Sequence, residues 1–175
     1  SLDAAFVNFG SERHGFLPLK ELASDYFTKD AEGKKKCTLK EGDEILVQVL
    51  KEERGTKGAA LSNQISLAGR FIVLIPNSEK SGGVSRRISG DERDEIKNAL
   101  NALQIPEGMS VIVRTAGLGR STEELKWDLD YLMNLWEQIK STLSDAPSPS
   151  LIYKDDKLIL RVFRDYFRDD IEEIL

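Results

Sequence analysis

The stretch SVIVRTAGLGRSTEELKWDL, residues 110–129, holds the pattern that decides the fold. Residues 111–113 form a short apolar run that is typical of a buried strand, and a glycine-rich turn follows it. Ser121 and Glu124 have the spacing of a capping box, so a helix is predicted to begin here. Apolar residues then recur every three or four positions as far as Leu143, which predicts a long amphipathic helix.

The apolar stripe of this helix has two interpretations. It could form a coiled-coil seam with a partner, or it could face the core of its own domain. The core-facing interpretation is favoured, because strand and helix alternate on both sides of it. FIVLI, residues 71–75, predicts a strand buried on both faces. Ser89 and Glu92 repeat the capping-box spacing before a second amphipathic helix. This alternation predicts an α+β or α/β unit.

The first third of the chain has a different pattern, that of a small β unit. Alternating apolar residues in 5–9 and 45–49 predict short strands, and residues 54–58 form a glycine-rich turn. The polar, lysine-rich segment 28–36 is predicted to be an exposed loop. Short strands, glycine turns and little helix are typical of a small barrel of the oligonucleotide-binding (OB) type.

The composition excludes several classes of protein. The 175 residues are 40% hydrophobic and 31% charged, which is enough apolar side chain to fold a core. The net charge of −5 means that any nucleic-acid site must be a local basic patch. No apolar run approaches the roughly 18 residues that a membrane helix needs. Because both ends lie in apparent strands, we expect the chain to be a fragment of a longer protein.

Two kinds of chemistry have weak support. His14 is the single histidine and Cys37 the single cysteine, and no pattern brings them together as a nucleophilic pair. Asp165 and two later aspartates could chelate a cation, but the arginines between them favour surface ion pairs.

An anion site has better support. A buried strand ends at Arg114 and Thr115, and a glycine turn leads to a helix start with free backbone N–H groups. A guanidinium can bind a phosphate bidentately, and the threonine hydroxyl adds a donor. In the alternative interpretation, Arg114 pairs with a carboxylate and Gly117 only turns the chain. A basic turn at 82–87 could reach the same ligand, or could simply be solvated.

An aromatic surface is the third candidate. Phe6 and Phe16 flank a glycine turn, and Lys57 lies in a glycine-rich hairpin. Small barrels bind single strands by stacking bases on such rings, with a cation on the backbone. In the alternative interpretation, both phenylalanines fill the barrel.

The sequence resembles the catalytic half of the ribonuclease E/G family, nearer its ribonuclease E branch. The strings that carry the resemblance are AAFVNFGSERHGFLPLKEL from Ala4, KEERGTKGAALS from Lys51, ISLAGRFIVLIPN from Ile65, GGVSRRI from Gly82, PEGMSVIVRTAG from Pro106 and VFRDYFRDDIEEIL from Val162. The resemblance implies an α+β fold in three parts. These are an OB-type, ribosomal-S1-like RNA-binding barrel (1–63), a 5′-monophosphate sensor subdomain (64–155) and the start of an RNase-H-like segment (156–175).

The resemblance also implies which residues bind. The RNA-binding residues of the barrel would be Phe6, Phe16 and Lys57. The 5′-monophosphate-binding residues would be Arg114, Thr115, Gly69, Val73 and Arg86.

For the whole protein, the resemblance implies an endoribonuclease of RNA processing and mRNA decay that cuts single-stranded RNA and prefers a 5′-monophosphate end. The family's catalytic Mg²⁺ and its shared Zn²⁺ would be bound outside these residues, so no catalytic or metal-binding residue is predicted here and the fragment alone is expected to be inactive. The parent would be a homotetramer that joins the RNA-degradation machinery in the bacterial cytoplasm or at the inner membrane surface. The alternative function is a non-catalytic scaffold, in which the helix up to Leu143 binds a partner protein.

Overall fold

A computed structural model of the chain describes residues 3–30, 32–78, 83–85, 88–155 and 164–165. Within these residues, the fold is α+β. The strands are β1 (Ala4–Val7), β2 (Gly15–Pro18), β3 (Phe27–Lys29), β4 (Lys35–Cys37), β5 (Gln48–Lys51), β6 (Ala60–Ser62), β7 (Leu67–Ala68), β8 (Ile72–Ile75), β9 (Gly83–Val84) and β10 (Ser110–Val113). The α-helices are α1 (Asp91–Ala102) and α2 (Thr122–Asp145). In the described part of the chain, neither helix combines the length and apolar character needed to cross a bilayer.

The first unit is built on a four-stranded sheet of order β1-β2-β6-β5. β1 is antiparallel to β2, and β2 is parallel to β6 through the pairing of Phe16 with Ala60. Beneath the sheet lies a small core of Leu17, Leu22, Ala59 and Leu61. The short strands and glycine turns predicted for this unit are therefore confirmed.

Two local predictions in this unit are wrong in part. The described residues of segment 28–36 are exposed as predicted, but the segment is not wholly a loop, because its two ends lie in strands β3 and β4 of a hairpin. The Asp30 carboxylate closes that hairpin by accepting from the backbone N–H groups of Glu32 (2.9 Å) and Lys34 (2.8 Å). The strand predicted over 45–49 begins only at Gln48. The side-chain amide of Asn63 donates to the carbonyl of Leu46, two residues earlier, at 2.8 Å, and so takes the place of a strand partner there.

The second unit has a sheet of order β7-β8-β10-β9. β8 and β10 are antiparallel and lie in its interior, as the apolar runs at 71–75 and 111–113 predicted. Helix α2 covers the sheet with the apolar stripe seen in the sequence. Its buried members are Leu125, Leu129, Leu132, Trp136 and Ile139. The core-facing interpretation is therefore confirmed for these five residues, whereas Leu143, the last member of the predicted stripe, is 40% exposed.

The two predicted capping boxes have different outcomes. At α2, the Ser121 hydroxyl accepts from the Glu124 N–H (3.2 Å), and the Glu124 carboxylate accepts from the Ser121 N–H (2.9 Å). The box predicted at Ser89 and Glu92 is wrong. Helix α1 is capped instead by Gly90 with φ 67°, and no side-chain cap bond is present there among the described residues. The positive φ of Gly90 turns the chain so that the helix starts one residue too late for Ser89 to cap it.

This difference is testable by a matched pair of substitutions. Ser121→Ala removes the acceptor of the Glu124 N–H, so we expect the free energy of unfolding to fall by about 0.5–2 kcal/mol. Ser89→Ala removes no cap, so its effect is expected to stay within about 0.5 kcal/mol. Urea denaturation of both variants measures the two values, and equal losses would contradict the assignment of the caps.

Candidate RNA interface and anion site

The first candidate site is an aromatic pair on the outer face of the first sheet. The antiparallel register of β1 and β2 places Phe6 opposite Phe16. Their ring centroids are 6.0 Å apart with planes at 63°, an edge-to-face contact. The side chain of Phe6 is 63% exposed, while Phe16 is half-buried. Phe6 therefore does not fill the core, and its ring is presented to solvent on the support of Phe16.

Lys57 lies in a tight hairpin near this pair. Arg54 and Lys57 exchange two backbone hydrogen bonds, of 3.0 and 3.1 Å, and both residues are exposed. A Cβ atom at Gly58 would lie 2.5 Å from the carbonyl oxygen of His14. Glycine at this position therefore allows the hairpin to lie against the chain that leads into β2.

Two further contacts fix the position of the hairpin. The N–H of Phe16 donates to the carbonyl of Ala59 at 2.8 Å, and the guanidinium of Arg13 donates to the carbonyl of Gly55. The structure therefore brings an exposed phenylalanine, its supporting ring and the Lys57 hairpin to one end of the sheet.

The second candidate site surrounds Arg114 at the end of β10. Its Nη1 donates to the backbone carbonyls of Gly69 and Arg70, and its own N–H donates to the carbonyl of Phe71 at 2.8 Å. Its Nη2 forms an ion pair with the carboxylate of Asp165 at 2.9 Å, and the two side chains are 29% and 27% exposed. The alternative interpretation, in which Arg114 pairs with a carboxylate, is therefore the arrangement that the structure shows.

The chain beyond Arg114 turns sharply. Thr115 is exposed and begins a 3-10 turn, Thr115–Gly117. A Cβ atom at Gly117 would lie 2.7 Å from Cγ1 of Val113 and 2.9 Å from the carbonyl oxygen of Phe71. Gly117 does more than turn the chain, because its missing side chain lets this turn pack on β8 and β10.

Gly69 has a specific neighbour that the sequence did not reveal. A Cβ atom there would lie 2.5 Å from the carboxylate oxygens of Asp128 on α2. That carboxylate accepts from the backbone N–H groups of Arg70 (3.1 Å), Phe71 (2.7 Å) and Ile72 (2.9 Å). Asp128 therefore holds the loop whose carbonyls orient Arg114. No pattern in the sequence identified Asp128, because it is one of many acidic residues on helix surfaces.

Two further residues, Val73 and Arg86, were predicted for the anion site. Val73 is half-buried in β8 and pairs with Ala68 of β7 and Ile112 of β10. Arg86 lies outside the described residues, so its place in the site stays a prediction.

Asp165 is shared between two arginines. Arg164 donates to it through Nε (3.2 Å) and Nη2 (3.3 Å), while its Nη1 donates to Asp155 (3.1 Å) and to the carbonyl of Ala68 (3.0 Å). The hydrogen bonds from Arg164, together with those from Arg114, hold the pKa of Asp165 below its ordinary value. Asp165 is therefore a carboxylate anion held between two guanidinium groups.

Two more cations, the side chains of Arg70 and Arg120, lie against the ring of Phe71 in this region. The guanidinium carbon of Arg70 lies 5.2 Å from the centroid of its ring, and that of Arg120 lies 5.0 Å away. Both distances allow cation–π attraction. Two guanidinium groups besides that of Arg114 therefore lie close to this loop, and that of Arg120 also pairs with Glu124 at 3.2 Å.

The donors needed for a metal ion are not gathered in the described part of the chain. No three His, Cys, Asp or Glu side chains there form a group that could hold an ion. Cys37 is a free thiol opposite Phe27 in the β3–β4 hairpin. No chemical step is therefore assigned to a metal on these residues.

An exposed aromatic ring on a small β sheet is typical of domains that bind single-stranded RNA. Comparison with known protein families supports the same assignment. Residues 2–63 match the S1 RNA binding domain, which confirms the predicted OB-type fold. Residues 66–175 match the Ribonuclease E/G family. The chain belongs to the ribonuclease E/G family.

Individual relatives show the same relationship. The chain is similar to ribonuclease E of Escherichia coli K12, with 55% identity over 179 residues that cover 100% of the chain and 17% of the relative. Ribonuclease E of Haemophilus influenzae is also 55% identical, and the chain covers 19% of it. Ribonuclease G of Haemophilus influenzae is 35% identical over 99% of the chain and 36% of its own length. The chain thus spans about a fifth of the ribonuclease E relatives that it matches.

Proposed function

We propose that this chain is the RNA-binding and 5′-end-sensing part of a single-strand-specific endoribonuclease of RNA processing and mRNA decay. One observation carries the proposal: Arg114 is oriented by the backbone of the Gly69 loop, in a chain whose first unit is an S1 domain. The S1 unit would hold the RNA strand, and the Arg114 site would read its first phosphate.

RNA binding by the first unit follows from the exposure of Phe6. A nucleobase can stack on its free face, because Phe16 contacts the ring edge-on. The ammonium group of Lys57 would neutralise a backbone phosphate nearby. Neither interaction reads the base sequence, so this surface would accept single strands of many sequences.

Phosphate binding follows from the remaining donors of Arg114. Nη1 is used by the loop carbonyls, whereas Nη2, which here pairs with the Asp165 carboxylate, forms with Nε the edge that a phosphate can bind. The hydroxyl of Thr115, the next residue, would donate to the same ligand. A site with room for one phosphate would exclude the larger triphosphate. A 5′-hydroxyl carries no charge and so would form no ion pair with Arg114.

The cleavage chemistry belongs to the whole protein. By family membership, we propose that Mg²⁺ supplies the hydrolytic chemistry on residues outside this chain, and that Zn²⁺ joins protomers of a homotetramer. The whole protein would act in the bacterial cytoplasm or at the inner membrane surface, together with the RNA-degradation machinery. The scaffold alternative has no comparable support, since its proposed partner surface is the stripe of α2 that is buried in the core.

The test compares RNA oligomers that differ only at the 5′ end. Fluorescence anisotropy of 3′-labelled strands carrying a 5′-monophosphate, 5′-triphosphate or 5′-hydroxyl measures the preference. We expect the chain to prefer the monophosphate by about tenfold, the value of one charge-assisted contact, and Arg114→Ala to abolish that preference.

A charge-matched control separates this effect from general electrostatics. Lys140→Ala also removes one cation, but Lys140 pairs only with Glu137 on the exposed face of α2 among the ion pairs of the described residues. Its preference for the monophosphate should equal that of the wild type. Circular dichroism confirms that each variant is folded. Equal affinity of the wild type for all three ends would refute the sensing function.

A further inference from the structure

The carboxylate of Asp165 lies where an anionic ligand of Arg114 would bind. Its Oδ1 is 2.9 Å from Nη2 of Arg114, and both side chains are partly exposed. We propose that Asp165 is a resident counter-ion of this site, which an incoming 5′-phosphate must displace from Arg114. This inference rests on the proposed function, because it assigns a competitor to the same guanidinium.

The role of Asp165 is to supply charge, because Arg114 is already oriented without it. The carbonyls of Gly69 and Arg70 hold Nη1, and the backbone of Arg114 is fixed by its hydrogen bond to Phe71. The ion pair with Asp165 adds only one contact, on Nη2. Its main consequence is therefore to neutralise the charge that a phosphate would otherwise meet.

Displacement is feasible because Asp165 keeps a second cation. Arg164 binds both of its oxygens, through Nε and Nη2. Arg164 is itself held by Asp155 and by the carbonyl of Ala68. When a phosphate takes Arg114, Asp165 stays paired with Arg164 and is not left as an isolated charge.

The exchange favours a terminal phosphate over an internal one. Asp165 carries one negative charge, as does each internal phosphodiester of RNA. A terminal phosphate monoester carries about −1.5 to −2 at neutral pH and so attracts Arg114 more strongly than the resident carboxylate does. The counter-ion thus suppresses binding of internal phosphates at this site.

The test is the isosteric substitution Asp165→Asn, which removes the charge and keeps an oxygen acceptor. We expect the 5′-monophosphate oligomer to bind about three- to fivefold more tightly, as for loss of one partly exposed opposing charge. Asp130→Asn is the matched control, because it also removes one carboxylate, but one that pairs with Lys126 on the exposed face of α2. Its affinity should stay within about twofold of the wild type.

A double variant confirms that Asp165 acts through Arg114. In the Arg114→Ala background, Asp165→Asn should no longer change the affinity. Unchanged or weaker binding by Asp165→Asn, while the wild type still prefers the monophosphate, would overturn the counter-ion and leave the proposed function intact. If neither protein distinguishes the 5′ ends, the proposed function itself fails, and the counter-ion fails with it.

Discussion

Replacing Asp128 with alanine is expected to lower the free energy of unfolding by about 2–4 kcal/mol. The carboxylate accepts from three consecutive backbone N–H groups, those of Arg70, Phe71 and Ile72. Phe71 and Ile72 are buried, so water cannot readily replace the lost acceptor. Each buried donor left unpaired costs about 1–3 kcal/mol, and relaxation of the loop recovers part of that loss.

The control for this substitution is its neighbour on the helix. Asp130 pairs with Lys126 on the exposed face of α2, so Asp130→Ala is expected to cost less than about 1 kcal/mol. Urea denaturation compares the two variants. Since Asp128 holds the loop that orients Arg114, Asp128→Ala should also lose the preference for a 5′-monophosphate under conditions where it remains folded. A stability equal to that of Asp130→Ala would show that the loop does not depend on this carboxylate.

Replacing Phe6 with alanine is expected to weaken binding of single-stranded RNA by about fivefold to 150-fold. Stacking of one base on an aromatic ring contributes about 1–3 kcal/mol, which corresponds to this range. The ring is 63% exposed, so its removal should change stability little. A 5′-hydroxyl oligomer is the best probe, because its binding does not depend on the Arg114 site.

Trp127 provides a matched control for exposed aromatic surface. It is 71% exposed on α2, the helix that packs on β7 and β8 of the second sheet. Trp127→Ala should therefore leave the affinity for the 5′-hydroxyl oligomer unchanged. If the two alanine variants weaken binding equally, exposed aromatic residues in general are responsible, and the assignment of Phe6 to the RNA surface is wrong.

The sequence predicted the parts of the fold that local signals determine. Helix α2 was predictable because Ser121, Glu124 and an apolar repeat act within one segment, and β8 and β10 because a continuous apolar run needs no partner to be recognised. The box at Ser89 failed, since the spacing of two residues does not report the φ of Gly90 between them. The β3–β4 hairpin was missed because Asp30, rather than an apolar pattern, closes it.

The candidate site was predictable only in part, because local patterns do not reveal contacts between residues that are far apart in the sequence. Arg114 and Thr115 follow a strand and precede a glycine turn, so their position at the sheet's end could be inferred from neighbours in sequence. Their partners are remote: Asp128 lies on the following helix, and Asp165 is farther still along the chain. With 30 Asp and Glu residues in the chain, no spacing identifies the two that converge on this loop.

The parallel pairing of Phe16 with Ala60 has a kinetic consequence. Strands β2 and β6 come from opposite ends of the first unit, so the intervening chain must close a long loop before the central pair of this sheet can form. Such non-local contacts slow folding. During synthesis on the ribosome, this sheet can therefore be completed only after β6 has left the exit tunnel. The contact between Phe6 and Phe16 does not depend on β6, because β1 and β2 are consecutive strands that form a hairpin.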